Sequence, residues 1–129
     1  MPRPSHVRDA VAALLRESGR HDWAIDEVLA ALHGQGVAAD YSSVFRALAR
    51  LEADGAVRRV ELGDGKARYE AAGDHHEHVR CDRCGTVGEV PGCAVRAVLP
   101  HVAEQTDFVI TGHTLVFSGL CPACVENAR

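Results

Sequence analysis

Uninterrupted apolar stretches are short throughout this 129-residue chain. VAALL (11–15) is typical, against the roughly 20 residues that a membrane-spanning helix needs. No membrane role is therefore expected. No charged-then-apolar leader with a small-residue cleavage site opens the sequence, so a cytoplasmic protein is expected. Basic excess is missing too: the formal net charge is −4, whereas a basic surface is the usual footprint of a nucleic-acid binder. The first 72 residues contain no cysteine and only three histidines, His6, His21 and His33. No internal repeat beyond two cysteine pairs is present, and no low-complexity tract.

What is present fits one ordinary domain or two small ones. An apolar fraction of 47% with 25% charged residues is that of a soluble globular protein and argues against disorder. Residues 1–72 carry 10 Lys/Arg against 11 Asp/Glu, and residues 73–129 carry 4 against 7. The front half is thus nearly neutral, and 41–59, with four arginines against two acids, is locally basic. All five cysteines and the other five histidines follow residue 73. The small-sided AAGD (71–74) suits a hinge, which gives expected domains of 1–72 and 73–129.

In the front half, SHVRDAVAALLRESG reads as a helix, with Ser5 as N-cap, apolar residues at 7, 10, 11, 14 and 15, and Gly19 past its end. AIDEVLAALHGQG gives a second helix with Ile25, Val28, Leu29 and Leu32 on one face. A third starts near Asp40 or Ser42 and stops at Gly55, with Val44, Leu48 and Leu51 at i, i+4, i+7. AVRRVELGDGKARYEA then places two β-prone runs around an Asp-Gly turn. Three helices followed by a hairpin is the order of a winged helix-turn-helix. The back half reads as strands around HVRC and TVGEV, a break at Pro91-Gly92, and a helix over 94–105 that Pro100 kinks or shortens. DFVITGHTLVFSG (107–119) reads as the longest strand, and CPAC with a polar tail ends the chain. The class is α+β.

Cys81-x-x-Cys84 and Cys121-x-x-Cys124 carry the sharpest chemistry. Two residues between thiolates let a tight turn aim both sulfurs at one ion, and two such turns close a tetrahedron. A site with four thiolates and no vacancy is structural, and thiolate-rich tetrahedra favour Zn(II). Four free or buried thiols are the plain alternative. Cys93 stands outside both pairs, where a lone cysteine is more often a small core hydrophobe. Within DHHEHVRC, an extended backbone sends His76 and His78 to one side and His75 and Glu77 to the other, offering donor pairs to two different ions. The plain reading of the same cluster is a solvated polar linker.

SSVFRAL (42–48), GDGKARYE (63–70), HHEHVRCDRCG (75–85), His113 in TGHTLVFSG and CPAC together resemble the ferric uptake regulator family of bacterial metal-sensing repressors. Their order and spacing carry the resemblance nearly end to end. It implies a winged-helix DNA-binding domain, an α/β dimerisation domain, a homodimer bound to double-stranded operator DNA, and no enzymatic activity or small organic substrate. It implies a sensory site of Glu70, His76, His78 and Glu89 at the hinge, plus a ligand before the second helix. There Asp22 stands where the family usually has a histidine, with His21 beside it. A second site would use His75, Glu77 and His113. Arg96 replaces its usual carboxylate, which leaves that site weak, absent or completed by Cys93 or His101.

Imidazole and carboxylate donors suit Fe(II), Zn(II), Mn(II) or Ni(II). Alanines at 71–72, near where zinc-sensing relatives often carry a cysteine, put Fe(II) ahead of Zn(II) as the regulatory ion. For DNA, the expected contacts are Arg8, Ser42, Ser43, Phe45 and Arg46, with Arg50, Arg58 and Lys66 on phosphates. Each arginine could equally be a solvated helix face, and Phe45 and Trp23 could equally be core. The rivals are a zinc-ribbon protein-interaction module, which leaves the wing unexplained, and a zinc deaminase. The deaminase signature needs a proline before a cysteine pair, and neither pair has one.

Overall fold

The computed structural model describes residues 6–73 and 75–127, and it divides into two compact units, Met1–Gly73 and Asp74–Arg129. Among the described residues no helix is long and apolar enough to cross a membrane.

The first unit runs α1 (His6–Ser18), α2 (Ile25–Gly34), α3 (Tyr41–Ala53), β1 (Val57–Glu61) and β2 (Ala67–Ala71). The expected N-cap of α1, Ser5, lies outside the described residues. The helix starts of α2 and α3 follow from local chemistry. Glu27 turns back to accept the Ala24 N–H at 3.0 Å, and Asp40 accepts the Ser43 N–H at 2.7 Å while Ser43 Oγ accepts the Asp40 N–H at 3.0 Å. The apolar stripes then converge. Val11 and Leu15 of α1, Val28 and Leu32 of α2, and Val44 and Leu48 of α3 are essentially inaccessible to solvent, with Trp23, Val57 and Tyr69 packed against them.

β1 and β2 pair antiparallel from Val57↔Ala71 to Glu61↔Ala67, leaving 62–66 as the wing loop. Gly63 and Gly65 take φ of 84° and 76°, which a side chain would strain, and Asp64 accepts both Arg68 guanidinium N–H groups at 3.1 and 2.8 Å. Three helices and a wing make a winged helix-turn-helix, as the sequence predicts. A further tie is an isolated bridge. Trp23 and Tyr69 exchange backbone hydrogen bonds of 3.0 and 2.7 Å, which brings the stretch before α2 alongside β2.

The second unit is a three-stranded sheet, order β4-β3-β5, made of β3 (His76–Cys81), β4 (Val87–Pro91) and β5 (Val116–Gly119), with α4 (Leu99–Thr106) and α5 (Pro122–Asn127). β3 is central, antiparallel to β4 and parallel to β5. Two expectations need correction. The helix expected over 94–105 begins only at Leu99: 94–98 form turns, and Pro100 sits in the first helical turn, where a missing N–H costs nothing. The stretch expected to be the longest strand contributes only the four residues of β5. Among the described residues 107–115 make no ladder, Asp107 ends α4 in the left-handed region (φ 59°), and an unpaired run is not a strand. After Cys121 the chain forms the short helix α5.

Candidate metal centres and nucleic-acid face

The four paired cysteines converge. One sulfur from each lies within 4.8 Å of the others, and Cys84 Sγ is 3.7 Å from Cys121 Sγ. A tetrahedron with metal–sulfur bonds of about 2.3 Å has sulfurs about 3.8 Å apart, so the set fits a thiolate-bound ion. β3 and its turn supply Cys81 and Cys84. The parallel pairing Cys81↔Gly119 delivers Cys121 two residues later, and α5 presents Cys124. Backbone N–H groups of Cys84 and Cys121 point at Cys81 Sγ from 3.5 and 3.4 Å and pull its thiol down to about 6. Thr86 lowers Cys84 through a 2.9 Å contact. Cys124 goes the other way, to about 12, because it hydrogen-bonds towards Cys121 and is buried. Four adjacent sulfurs cannot all be anionic without a cation. A divalent ion reverses that penalty.

β3 carries two further donor sets on opposite sides. On one, His76 and His78 have ring centroids 4.8 Å apart, Glu89 lies across the ladder from His78, and His76 Nδ1 is 4.0 Å from a Glu89 oxygen. On the other, His75 Nε2 and His113 Nε2 meet the same buried Glu77 oxygen at 2.7 and 2.8 Å. Burial alone would raise the Glu77 carboxyl, but the hydrogen bonds from His113 and His75 outweigh it and hold it low. His75, Glu77, His113 and Cys93 form one group of potential donors. Cys93 sits half-buried in it, not in an apolar core, while His101 and Arg96 are exposed elsewhere.

In the first unit, the Trp23–Tyr69 bridge sets His21 Nδ1 2.9 Å from Glu70 Oε2. Asp22 is turned to Arg20 Nε at 2.7 Å instead, so of the two residues before α2 it is His21 that reaches Glu70. Arg58 Nε lies 3.7 Å from the other Glu70 oxygen and Arg58 also donates to the Gly73 carbonyl, while its side chain stays partly exposed.

α3 displays the expected DNA-facing residues. Arg8, Ser43, Arg46 and Arg50 line one shallow groove between α1 and α3, and Ser42, Phe45 and Arg46 line a second with Tyr41. Phe45 and Tyr41 are about half exposed, so Phe45 is not core, whereas Trp23 is, with its indole N–H donating to Ser18 Oγ at 3.0 Å. Lys66 lies 4.0 Å from Asp26 at the wing. Tyr41, the first residue of α3, also lines the second groove and was not singled out in the sequence.

The family model described as ferric uptake regulator family matches residues 2–118. The chain belongs to the ferric uptake regulator family. It is similar to the ferric uptake regulation protein of Legionella pneumophila, 32% identical over 118 residues that cover 91% of this chain and 87% of that protein. The structure of the Helicobacter pylori ferric uptake regulator Fur, described as having three functional metal binding sites, superposes with a TM-score of 0.84 at 25% identity, over 96% of this chain and 83% of that one. The iron-containing regulator from Francisella tularensis shares the fold, with a TM-score of 0.84 at 23% identity over 97% of this chain and 96% of that one.

Proposed function

We propose that the chain is a metal-sensing transcriptional repressor in which an exchangeable divalent ion at the hinge favours a DNA-binding homodimer. Residues 1–72 form the DNA-binding domain and 73–129 the metal-binding dimerisation domain. Membership in the ferric uptake regulator family leaves the deaminase and interaction-module readings without support.

The observation that carries this reading is the separation of donor types. The sulfurs form a closed set of their own, while His21 with Glu70 and His76 with His78 and Glu89 form nitrogen–oxygen sets outside it. A four-thiolate zinc site is a permanent structural tie, whereas imidazole and carboxylate donors exchange ions with supply. Fe(II) leads Zn(II) as the regulatory ion, with Mn(II) and Ni(II) within reach of the same donors. Such an ion acts only through its preference for one conformation, and a hundredfold preference is worth about 2.7 kcal/mol.

The apolar side chains left exposed in the second unit, Phe108, Val109, Leu120 and Val125 among them, support dimerisation there. In the dimer, two copies of α3 would meet successive major grooves of operator DNA, with Ser42, Ser43, Phe45 and Arg46 at the bases and Arg8, Arg50, Arg58 and Lys66 on phosphates.

The test is a mobility-shift titration on promoter DNA of the source genome, with Fe(II) or Zn(II) added and then withdrawn by a mild chelator that spares the thiolate-bound zinc. Binding should follow the added ion. The double variant His76→Ala/His78→Ala should lose that response while keeping its zinc and its dimer. DNA affinity indifferent to added metal would overturn the reading.

A further inference from the structure

One carboxylate oxygen, Glu77 Oε1, is approached by two imidazole nitrogens, His75 Nε2 at 2.7 Å and His113 Nε2 at 2.8 Å. Cys93 Sγ completes the arrangement from 3.8 Å beyond His113 Nε2. All four donor atoms lie within 4.8 Å of one another, and all four residues belong to the second unit. Glu77 is buried, Cys93 and His113 are half-buried and His75 is exposed, so the donors converge on a buried carboxylate with one imidazole at the solvent edge.

The chain path explains how the sulfur arrives. β4 ends at Pro91, Gly92 takes a φ of 77° that reverses the backbone, and Cys93 follows at once. Arg96, three residues on, is exposed.

We propose that Cys93 is the fourth ligand of a divalent-metal site with His75, Glu77 and His113, and that its thiolate makes this site select zinc-like ions over Fe(II) and Mn(II). The inference deepens the metal-sensing reading by assigning a donor set and a class of ion to one of its sites. Tetrahedral zinc places neighbouring nitrogen, oxygen and sulfur donors about 3.3–3.5 Å apart. The two nitrogen–oxygen distances here need to open by about 0.5 Å and the sulfur–nitrogen distance to close by about 0.3 Å, shifts within reach of side-chain rotation. Two imidazoles, a carboxylate and a thiolate form a borderline-soft set. Hard-oxygen preference, which serves Mn(II), is diluted by the sulfur, while Zn(II) and its spectroscopic substitute Co(II) accept it readily.

The experiment loads the full-length protein with zinc at the four paired cysteines, then titrates Co(II) under anaerobic conditions. Sulfur bound to Co(II) gives a near-ultraviolet charge-transfer band that nitrogen and oxygen ligands do not. The wild-type protein should develop that band without releasing zinc. Cys93→Ser should lose it and bind Co(II) at this site at least about tenfold more weakly, the scale seen even for groups behind the ligands. His113→Ala, which keeps the thiol, should also lose the band, so the test survives if Cys93→Ser folds poorly. A band that persists in Cys93→Ser, that appears only as zinc is expelled, or that is absent from the wild type overturns the proposal. Because the readout is spectroscopic, its failure is separable from failure of metal-dependent DNA binding, which the same protein reports in the mobility-shift assay.

Discussion

The first unit packs a single cluster of apolar side chains, from Val11 and Leu15 through Leu32 and Leu48 to Val57 and Tyr69. Among the described residues of the second unit, the only buried ones are Cys81, Cys124, Glu77 and His78. One unit is held by an oil-like interior. The other buries potential metal donors where a core would be, and leaves Phe108 and Val109 mostly exposed. A unit of this size is marginal on apolar burial alone, and metal or a second copy is a common remedy. The lesson is that cohesion and chemistry coincide in the second unit and are separate in the first.

The largest expected effect breaks the second unit alone. Replacing Cys81 and Cys124 with serine removes a contribution on the order of 10 kcal/mol from structural zinc. Limited proteolysis should then cut throughout 75–127 while a fragment of the first unit persists, with circular dichroism retaining its helices. Survival of both units without zinc would erase the contrast.

Leu48→Ala tests the other half. Leu48 is fully buried in α3, and the cavity should cost about 2–5 kcal/mol, read as a lower urea midpoint with bound zinc unchanged. An acid titration sharpens the contrast further. Cys81 is held at about 6, below its ordinary 9.0, so its thiolate persists at neutral pH and is lost as pH falls through about 6. Cys124, at about 12, is deprotonated only at the ion's expense. Proton competition therefore grows as pH falls, and the fraction of zinc surrendered to a fixed chelator should rise steadily on the acid side, with a flat profile counting against thiolate ligation. The smallest effect belongs to Asp40→Ala. Losing the cap that accepts the Ser43 N–H should lower the thermal midpoint of the first unit slightly and leave metal uptake untouched.

Legibility in the sequence followed the same divide. In the first unit the apolar period, the Asp40 cap and the glycine-rich wing are local signals, and α2, α3 and the hairpin stand where those signals put them. In the second unit the Cys-x-x-Cys spacing and the period-two alternation of 75–78 were also local, and the donors do gather. What failed depended on partners distant in the chain. Residues 107–115 have strand-like composition but no ladder, and α4 waits for Pro100 because a proline N-terminal turn needs no N–H. Cys93 could not be assigned from spacing, since the loop carrying His113 returns to it across 20 residues. The contact of His21, not Asp22, with Glu70 likewise rests on the Trp23–Tyr69 bridge, which no local pattern announces.

The central strand of the second unit has a consequence for how such a protein can change over generations. His76, Glu77 and His78 alternate between its two sides, and it ends on Cys81. Point replacements there alter one ligand at a time, and a lineage can explore them singly. Gaining or losing one residue between His78 and Cys81 would instead turn the strand's histidines over relative to the sulfur, so that one donor set or the other is lost at a stroke. The length of this short segment is therefore under tighter constraint than most of the letters within it.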